Sequence, residues 1–275
     1  MPERPDLEYV VPLLAAALRG RRIVGMRVRK PVVLRCPSQL EGRIAAVTRL
    51  AHCVVFDLET QRLVVSPMLA GRFQIDGKET ADLAVAWKLD DGRELRYRDD
   101  VQMGKVYLLP PGGRPPGLEQ VGIDVLSPAF TVAHFRALAK TRRDQVKVFL
   151  MDKSVLDAMG NAYADEVMWE AGIHPKRMVR ELSAVEVDRL HGAIVAVLDH
   201  ACRTIQERKP PMEEKVRDFL HVRGRKNQPC DRCGTTLRTT GVHGHDAYLC
   251  PTCQPDIKGR AFVDWRKIPG AGSAG

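Results

Sequence analysis

The sequence Cys230-Asp-Arg-Cys233 is followed, after sixteen intervening residues, by Cys250-Pro-Thr-Cys253. Two Cys-X-X-Cys turns at this separation present four thiolates in the pattern that a tetrahedral zinc site requires. The threonine-rich segment between them is long enough for one β-hairpin. Because cysteines fill all four positions, no coordination site is left open for water, so the sequence predicts one structural zinc ion and no metal chemistry.

A set of disulfides is the alternative interpretation of these four cysteines. It requires an oxidising compartment, whereas the opening residues Met1–Asp6 have acids and prolines where a secretion signal has its apolar core. The other cysteines, Cys36, Cys53 and Cys202, are scattered and are typical of buried thiols in a reducing cytoplasm. We therefore expect a zinc site and a cytoplasmic protein.

The composition favours a polyanionic partner. The 275 residues carry a formal net charge of +9, and 44% of them are hydrophobic. This length fits about two domains plus a small metal module, and no apolar run approaches a membrane span. The excess positive charge favours nucleic acid, although solubilising charge would give the same composition. The basic residues concentrate in Arg19–Arg29, Lys140–Lys147, Lys176–Arg180 and Arg223–Lys226.

The first third of the chain combines one helical pattern with many short β-rich runs. Residues 6–20 have an apolar stripe at helical spacing, with Asp6 as the predicted N-cap, Gly20 as the stop and Pro12 as a kink. The runs that follow predict an antiparallel sandwich or barrel. The predicted strands are Ile23–Val28, Pro31–Leu34, Ile44–Val47, Cys53–Phe56, Leu63–Val65, Phe73–Ile75, Leu83–Leu89, Glu94–Tyr97 and Val106–Leu109.

Helical periodicity predominates after a Pro- and Gly-rich linker at Pro110–Gly117. The sequence therefore predicts an α+β multidomain protein, with a β-sandwich domain at 1–117, a helical domain at 118–222 and a four-cysteine zinc finger at 223–265. Residues 266–275 are expected to be a disordered tail. The predicted helices are Thr131–Ala139, Gln145–Leu150, Asn161–Ala171 and Ala184–Gln206.

The stretch Met1-Pro2-Glu3 holds residues suited to covalent chemistry. If Met1 is removed, Pro2 carries a secondary amine, and α-amino groups titrate near pH 7.7–8.0. Such an amine attacks the C1′ atom of a sugar to give an iminium ion, which makes elimination of the sugar phosphates feasible. Glu3 could protonate the opening sugar oxygen. The alternative is an ordinary chain start, since many chains begin with Met-Pro.

The turn Gly160-Asn161 between two helical stretches is a second candidate site. Exposed amides at the N-terminus of the following helix suit a phosphate group. The alternative is that Asn161 simply caps that helix.

These stretches together resemble the formamidopyrimidine-DNA glycosylase/endonuclease VIII family of bifunctional base-excision enzymes. The resemblance runs nearly end to end, and the order and separation of its motifs make coincidence very improbable. The motifs are Met1-Pro2-Glu3-x-Pro5-Asp6-x-Glu8, Leu95-Arg-Tyr-x-Asp99 with Gly104, Leu126-Ser127-Pro128, Lys147-Val-Phe-Leu-Met-Asp152, Gly160-Asn161-x-Tyr163-Ala164-x-Glu166, Ala171-Gly-Ile-His-Pro175, Val222-Arg-Gly-Arg225 and the terminal zinc finger.

The resemblance implies a β-sandwich, a helix-two-turn-helix domain and a zinc β-hairpin, acting as a monomer at the nucleoid on damaged double-stranded DNA gripped in the cleft between them. It implies a DNA glycosylase/AP lyase in which Pro2 is the Schiff-base nucleophile, Glu3 the acid/base and Asn161 a phosphate ligand, with the lesion base flipped from the stack. The other expected DNA-binding residues are Gly160, Tyr163, Lys147, Leu69, Gln102, Met103, Arg142 and Arg225.

Two histidines stand where the family has permanent cations. The family's loop lysine falls on His52, and the finger's arginine falls on His245. Both replacements keep a hydrogen-bond donor but lose a permanent positive charge. Both histidines are candidate catalytic residues at the DNA phosphates. Alternatively, His52 is structural at a strand start, and His245 is exposed and idle.

The segment that fills the duplex void in the family also differs here. Val101-Gln102-Met103-Gly104 stands in the Arg-Arg-Phe-Gly region, and Leu69 stands at the earlier methionine position. Apolar Leu69 and Met103 can still wedge between bases. The missing arginine at position 101 and the short Gln206–Leu220 stretch predict either an unusual lesion preference or attenuated activity.

Three classes of function fit the sequence to different degrees. The leading hypothesis is a glycosylase with AP-lyase activity that excises an oxidised base. The second is a lesion- or abasic-site-binding protein whose catalysis is attenuated. The third is a zinc-finger transcription or architectural factor, which leaves Pro2-Glu3 unexplained.

Overall fold

The computed structural model describes residues 2–37, 39–157 and 159–256. The chain forms two compact units. The first comprises the chain up to Val121 together with Ala201–Val216, and the second comprises Gly122–His200 and the chain from Arg217 onward. The tail at 266–275, which the sequence predicts to be disordered, lies outside the described residues, as does the end of the predicted finger domain.

Helix α1 (Arg4–Leu18) opens the first unit, and it begins before the predicted N-cap. Glu3 is the N-cap, while Asp6 lies at the third helical position, so the prediction for Asp6 is wrong. The Glu3 N–H donates to the Asp6 carboxylate at 2.8 Å, and the Glu3 side chain accepts from the Asp6 backbone in return. This reciprocal capping box satisfies two backbone N–H groups at the start of the helix, whereas Asp6 as the N-cap would satisfy one. Pro12 lies inside the helix on its exposed side, where a carbonyl without its usual partner can bind water.

The described part of the first unit contains nine strands that form one sheet. They are β1 (Arg22–Val28), β2 (Leu34–Arg35), β3 (Gly42–Leu50), β4 (Cys53–Leu58), β5 (Arg62–Ser66), β6 (Arg72–Ile75), β7 (Leu83–Leu89), β8 (Glu94–Arg98) and β9 (Lys105–Leu109). They hydrogen-bond in the order β2-β9-β5-β4-β3-β1-β7-β8-β6, and neighbours are antiparallel except β2 and β9, which are parallel. The predicted strand Pro31–Leu34 is wrong, because Pro31 starts a 3-10 turn, Pro31–Val33, and offers no N–H to a sheet.

Aromatic contacts show that this sheet folds onto itself. Strands β4 and β6 are five places apart in the strand order, yet the rings of Phe56 and Phe73 are 6.0 Å apart. The core between the two layers also contains buried Trp87, together with Leu14 and Leu18 from α1. The predicted β-sandwich is therefore confirmed, and α1 is anchored to it by its buried leucines.

The four predicted helices all form, each within two residues of its predicted bounds. They lie in the second unit, except that the end of the last helix, from Ala201, belongs to the first. The helices are α2 (Val132–Lys140), α3 (Val146–Met151), α4 (Asn161–Glu170) and α5 (Ala184–Arg208). A pair of parallel two-residue strands, β10 (Ile123–Asp124) and β11 (Leu156–Asp157), is too short to give a periodic signal in the sequence. In the part of the chain that the structure describes, no helix is both long and apolar enough to span a membrane.

The zinc-finger hairpin consists of β12 (Arg238–Val242) and β13 (His245–Leu249), which pair antiparallel. The turn between them is His243-Gly244, and both residues have positive φ angles, 44° and 77°. Two left-handed residues in a two-residue turn match the twist of the flanking strands. The turn thereby places His245 at the first position of β13.

A half-buried ion pair links the start of β7 to the end of β8. Arg98 donates to the Asp82 carboxylate at 3.0 and 3.1 Å. Burial alone would raise the pKa of Asp82, but hydrogen bonds from Arg98 and Thr80 hold it below its usual value. Because the folded pKa is the lower one, this pair stabilises the sheet above about pH 4, and the stabilisation is lost as the pH falls through the folded pKa.

We predict that Asp82→Asn lowers the free energy of local opening of β7 and β8 by about 1–2 kcal/mol at pH 7. The loss should shrink as the pH falls below 4, where Asp82 itself becomes protonated. Amide hydrogen exchange of the β7–β8 peptides measures this free energy. Asp90→Asn, at an exposed acid that follows the other end of β7, is the control. An equal loss of opening free energy at pH 7 and well below pH 4 would contradict the pairing.

Candidate active site and zinc centre

The predicted nucleophile and its neighbour lie at the start of α1. Pro2 and Glu3 are both buried, and Glu3 is 5% exposed. A pocket beside them has a free volume of about 30 Å³. The lining residues include Pro2, Asp6, Leu7, Phe73 and the segment 212–215.

The wall segment 212–215 is held by hydrogen bonds within the first unit. Lys215 donates to the Leu69 carbonyl at 3.2 Å, and Gln74 donates to Glu213 at 3.3 Å. Just before the segment, the Tyr9 hydroxyl donates to the Pro210 carbonyl at 2.8 Å. Met212 also packs against the sandwich core, so both polar and apolar contacts hold the wall in place. Sequence reasoning missed this segment, since its position depends on contacts with residues far away in the chain.

The expected DNA-wedging residues lie on two exposed loops of the first unit. Leu69 is 59% exposed and Met103 is 47% exposed. Gln102, also exposed, has a φ angle of 59°, a left-handed conformation that is uncommon for residues other than glycine. The structure thus places all three on the surface, as a direct contact with DNA requires.

The two candidate histidines occupy different environments. His52 is 7% exposed, in the turn between β3 and β4 next to Ala51, whose φ angle is 51°. His245 is exposed at the start of β13. In this conformation His245 is accessible to solvent, whereas His52 is largely covered. The catalytic role of either histidine stays a prediction.

Gly160, not Asn161, occupies the N-cap position of α4. Asn161 is the first helical residue, and no side chain makes a cap hydrogen bond. The Asn161 Oδ1 atom is buried and has no hydrogen-bond partner among the described residues. The interpretation of Asn161 as a simple cap is therefore wrong, and its assignment as a phosphate ligand stays a prediction.

A buried charge cluster joins α3, α4 and the hairpin of the second unit. The Lys147 ammonium group is completely buried and donates to Asp165 at 2.5 Å and to the Asp246 carbonyl at 2.7 Å. Arg223 donates to the same carboxylate at 2.8 Å. Burial raises the pKa of Asp165, and the two cations oppose that shift. In this structure Lys147 supports the hairpin from inside, one residue from His245.

The neighbouring carboxylate, Glu166, holds the chain that leads into the zinc finger. It is 2% exposed and accepts three backbone N–H groups, from His221, Val222 and Arg223, at 2.8, 2.9 and 2.8 Å. Burial raises the pKa of Glu166, and these hydrogen bonds oppose the shift. An apolar helix that carries two adjacent acids is the sequence signal that could have pointed to this role.

Three other predicted DNA ligands are engaged within the protein. Tyr163 is completely buried, and Arg217 lies 5.1 Å from its ring centre. Arg142 forms ion pairs with Asp144 and Asp152, and Arg225 forms one with Asp231. The structure gives these side chains supporting positions, and their contact with DNA stays a prediction.

The four cysteines of the two Cys-X-X-Cys turns converge, with their sulfur atoms all within 4.8 Å of one another. The distance from Cys230 to Cys253 is 4.0 Å, and that from Cys233 to Cys250 is 3.4 Å. Tetrahedral zinc with Zn–S bonds of about 2.3 Å requires sulfur separations of about 3.8 Å. The Trp169 indole N–H also donates to the Cys230 sulfur at 3.4 Å. The donor set fits one structural zinc ion, which confirms the prediction.

Two contacts attach the finger to the end of α4. Gln254, which is completely buried, accepts the Cys250 N–H and donates to the Ile173 carbonyl, both at 2.9 Å. The Arg232 guanidinium lies 4.1 Å from the Trp169 ring centre. The zinc site is therefore anchored to the helical part of the second unit by groups that the cysteine spacing alone does not reveal.

Comparisons with known proteins agree with this geometry. Residues 1–106 match the formamidopyrimidine-DNA glycosylase N-terminal domain, residues 121–209 match that protein's H2TH domain, and residues 227–255 match the zinc finger found in FPG and IleRS. The formamidopyrimidine-DNA glycosylase of Symbiobacterium thermophilum is 34% identical, over 98% of this chain and 94% of that protein. The chain belongs to the formamidopyrimidine-DNA glycosylase family.

Solved structures of this family share the fold. The Thermus thermophilus formamidopyrimidine-DNA glycosylase has a TM-score of 0.79 at 27% identity, covering 92% of this chain and 98% of that one. The Lactococcus lactis protein, in a complex with DNA containing an oxidised pyrimidine, has a TM-score of 0.83 at 22% identity, covering 92% and 100%. The expected sandwich, helix-two-turn-helix region and zinc hairpin are therefore confirmed.

We predict that the purified protein contains one zinc ion per chain and that Cys233→Ala loses it. Three thiolates bind zinc more weakly than four, and without the metal nothing links the two turns through their thiolates. Amides in 230–254 should therefore exchange faster than in the unaltered protein, whereas those of α1 should not. Elemental analysis and hydrogen exchange measure these effects. Cys36→Ala, which removes a thiol outside the cluster, is the control. Unchanged zinc content in Cys233→Ala would contradict the assignment.

Proposed function

We propose that this protein is a bifunctional DNA glycosylase of base excision repair. It excises a damaged, oxidised base and then cleaves the strand at the abasic site through a Schiff base on Pro2. The supporting observation is the burial of Pro2 and Glu3 beside a pocket, in a chain that matches proteins named formamidopyrimidine-DNA glycosylase along nearly its whole length.

The covalent step requires that Pro2 be the first residue of the mature chain. Its secondary amine then forms a bond to C1′ of the deoxyribose while the C1′–base bond breaks. The base leaves with that electron pair and takes up the proton that the amine nitrogen loses. The sugar ring opens to the cationic iminium, and Glu3 supplies the proton that the ring oxygen takes. The Glu3 carboxylate then takes a proton from C2′ as the 3′ phosphate leaves, and water adds to C1′ and releases the sugar from the amine as an aldehyde.

The charged lining of the pocket suits this chemistry. Asp6, Glu213 and Glu214 line the pocket that contains Pro2, and they outnumber the two cations of the lining, Arg72 and Lys215. Negative charge fixed near the amine favours the cationic iminium over the neutral starting state. Asp6 is further held in place by the capping hydrogen bond to the Glu3 N–H.

The partner we propose is double-stranded DNA, bound at the nucleoid by a single copy of the chain. The net charge of +9 suits a polyanion. In the second unit, Gly160 and Asn161 form the N-terminus of α4, where backbone amides and the helix dipole favour a phosphate. The exposed His245 is the candidate for a second phosphate contact.

A second candidate function is the binding of lesions or abasic sites with attenuated catalysis. The specific observation in its favour is the state of the two histidines that replace family cations. His52 is buried, and His245 lacks a permanent charge, so stabilisation of the anionic DNA backbone during the reaction is weaker than lysine and arginine would provide.

We predict that borohydride traps a covalent adduct between the protein and a duplex with an abasic site when the chain begins at Pro2. A chain that retains Met1 should give about 100-fold less adduct, because its terminus no longer places an amine at Pro2. Glu3→Gln keeps an oxygen for the capping box but loses the proton donor, so strand cleavage should slow by about 10²–10⁴-fold.

Glu8→Gln, on the same helix and half-exposed, is the control and should cleave at the normal rate. Equal adduct from the Met1-retaining chain would exclude Pro2 as the nucleophile. Tight, salt-dependent binding of abasic DNA without any adduct would instead support the second candidate function.

A further inference from the structure

Two loops of the first unit carry a concentration of exposed apolar side chains. We name them the wedge loops, residues 67–71 and 99–104. Leu69 is 59% exposed on the first, and Val101 and Met103 are 45% and 47% exposed on the second. They are three of the seven exposed large hydrophobic residues in the described chain. Exposed apolar side chains that cluster in this way mark an interaction site.

The second wedge loop is organised around Asp99, a completely buried carboxylate. Its oxygens accept the Gln102 N–H at 2.9 Å and the Gly104 N–H at 2.8 Å. Outside the loop, Lys30 donates to the Asp99 carbonyl at 3.0 Å. Because the carboxylate bonds both sides of Met103, it fixes the loop backbone that presents this side chain.

The Tyr97 hydroxyl connects this carboxylate to the first wedge loop. It lies 3.2 Å from the Asp99 carboxylate and 3.5 Å from the Pro67 carbonyl. The same carbonyl accepts the Gly71 N–H at 2.8 Å, which closes the first loop. A single buried hydroxyl is thus in contact with the polar groups that shape both wedge loops.

Two glycines give that hydroxyl its room. A Cβ atom at Gly71 would lie 2.5 Å from the Tyr97 hydroxyl oxygen, and one at Gly104 would lie 1.7 Å from it. Any larger residue at either position would displace the tyrosine. An ion pair at 3.6 Å joins Asp100 of the second loop to Arg72, which directly follows the first loop, and adds a second link near the surface. The loops are therefore packed against a common centre with little freedom to move separately.

We propose that Tyr97 and Asp99 are positioning residues that lock the two wedge loops into one rigid surface, so that Leu69, Val101 and Met103 enter a DNA base stack as a unit. The proposal rests on the proposed function, and it names the residues that give the enzyme its preference for damaged sites. Unstacking bases is costly, and an apolar wedge succeeds best when its own ordering costs little. Loops that moved independently would each lose conformational entropy on insertion.

The test is Tyr97→Phe, which removes the hydroxyl and keeps the ring. We expect affinity for a duplex with an abasic site to fall about 3- to 10-fold, the range of one hydrogen bond. Affinity for the intact duplex should change less than about 2-fold, because no charge is removed. The fluorescence rise of 2-aminopurine next to the abasic site should also shrink. Tyr107→Phe, which removes a hydroxyl from β9, is the matched control. The melting temperature of each variant shows whether it is folded.

A double-mutant cycle tests the coupling of the loops directly. In the otherwise unaltered protein, Leu69→Ala and Met103→Ala should be non-additive, because losing either side chain disables the shared wedge. In the Tyr97→Phe background the two losses should become additive.

Two results separate failure of this inference from failure of the proposed function. If Tyr97→Phe leaves both the ratio of abasic to intact affinity and the coupling unchanged, the positioning role is overturned. If the unaltered protein shows no preference for the abasic duplex, the proposed function fails and the inference fails with it.

Discussion

The hydrogen bond between the Glu3 N–H and the Asp6 carboxylate fixes where the first helix begins, and thus where the second residue of the chain lies. Chain ends are usually mobile, because few contacts hold them. Here the capping box at Glu3 fixes the N-terminus of the helix, and the leucines of α1 anchor the helix to the sandwich core. Pro2 is consequently buried at a defined point beside a pocket lined by charged residues. A nucleophile on a chain terminus requires this kind of preorganisation.

The second unit uses buried carboxylates in the same way. Asp165 and Glu166 are neighbours on α4, and together they bind Lys147, Arg223 and the backbone that enters the finger. Burying such charges is costly unless every one is paired and hydrogen-bonded, so removal of any member should disturb the others. Zinc closes the hairpin, and this network places the hairpin on the helix. Buried carboxylates therefore fix the position of the proposed nucleophile, Pro2, in the first unit. In the second unit they fix the hairpin that carries His245, the proposed phosphate contact.

Much of the fold follows from local sequence patterns, while the site follows from contacts that no local pattern contains. Alternating and helical periodicities predict eight of the nine sandwich strands and all four later helices, and the cysteine spacing predicts the zinc ligands. The exception, Pro31–Leu34, fails because proline favours a turn over a short edge strand. The burial of Lys147 and the contacts of the Tyr97 hydroxyl each depend on partners distant in sequence. The place of Asn161 depends instead on where α4 begins, one residue after Gly160.

The central claim is that the Pro2 nitrogen forms the covalent bond to DNA. The most direct measurement is peptide mass spectrometry of the borohydride-reduced adduct, which identifies the residue that carries the deoxyribose remnant. This account predicts the remnant on an N-terminal peptide that begins at Pro2, with none on lysine. A remnant on a lysine, or on a terminus that still bears Met1, would contradict it.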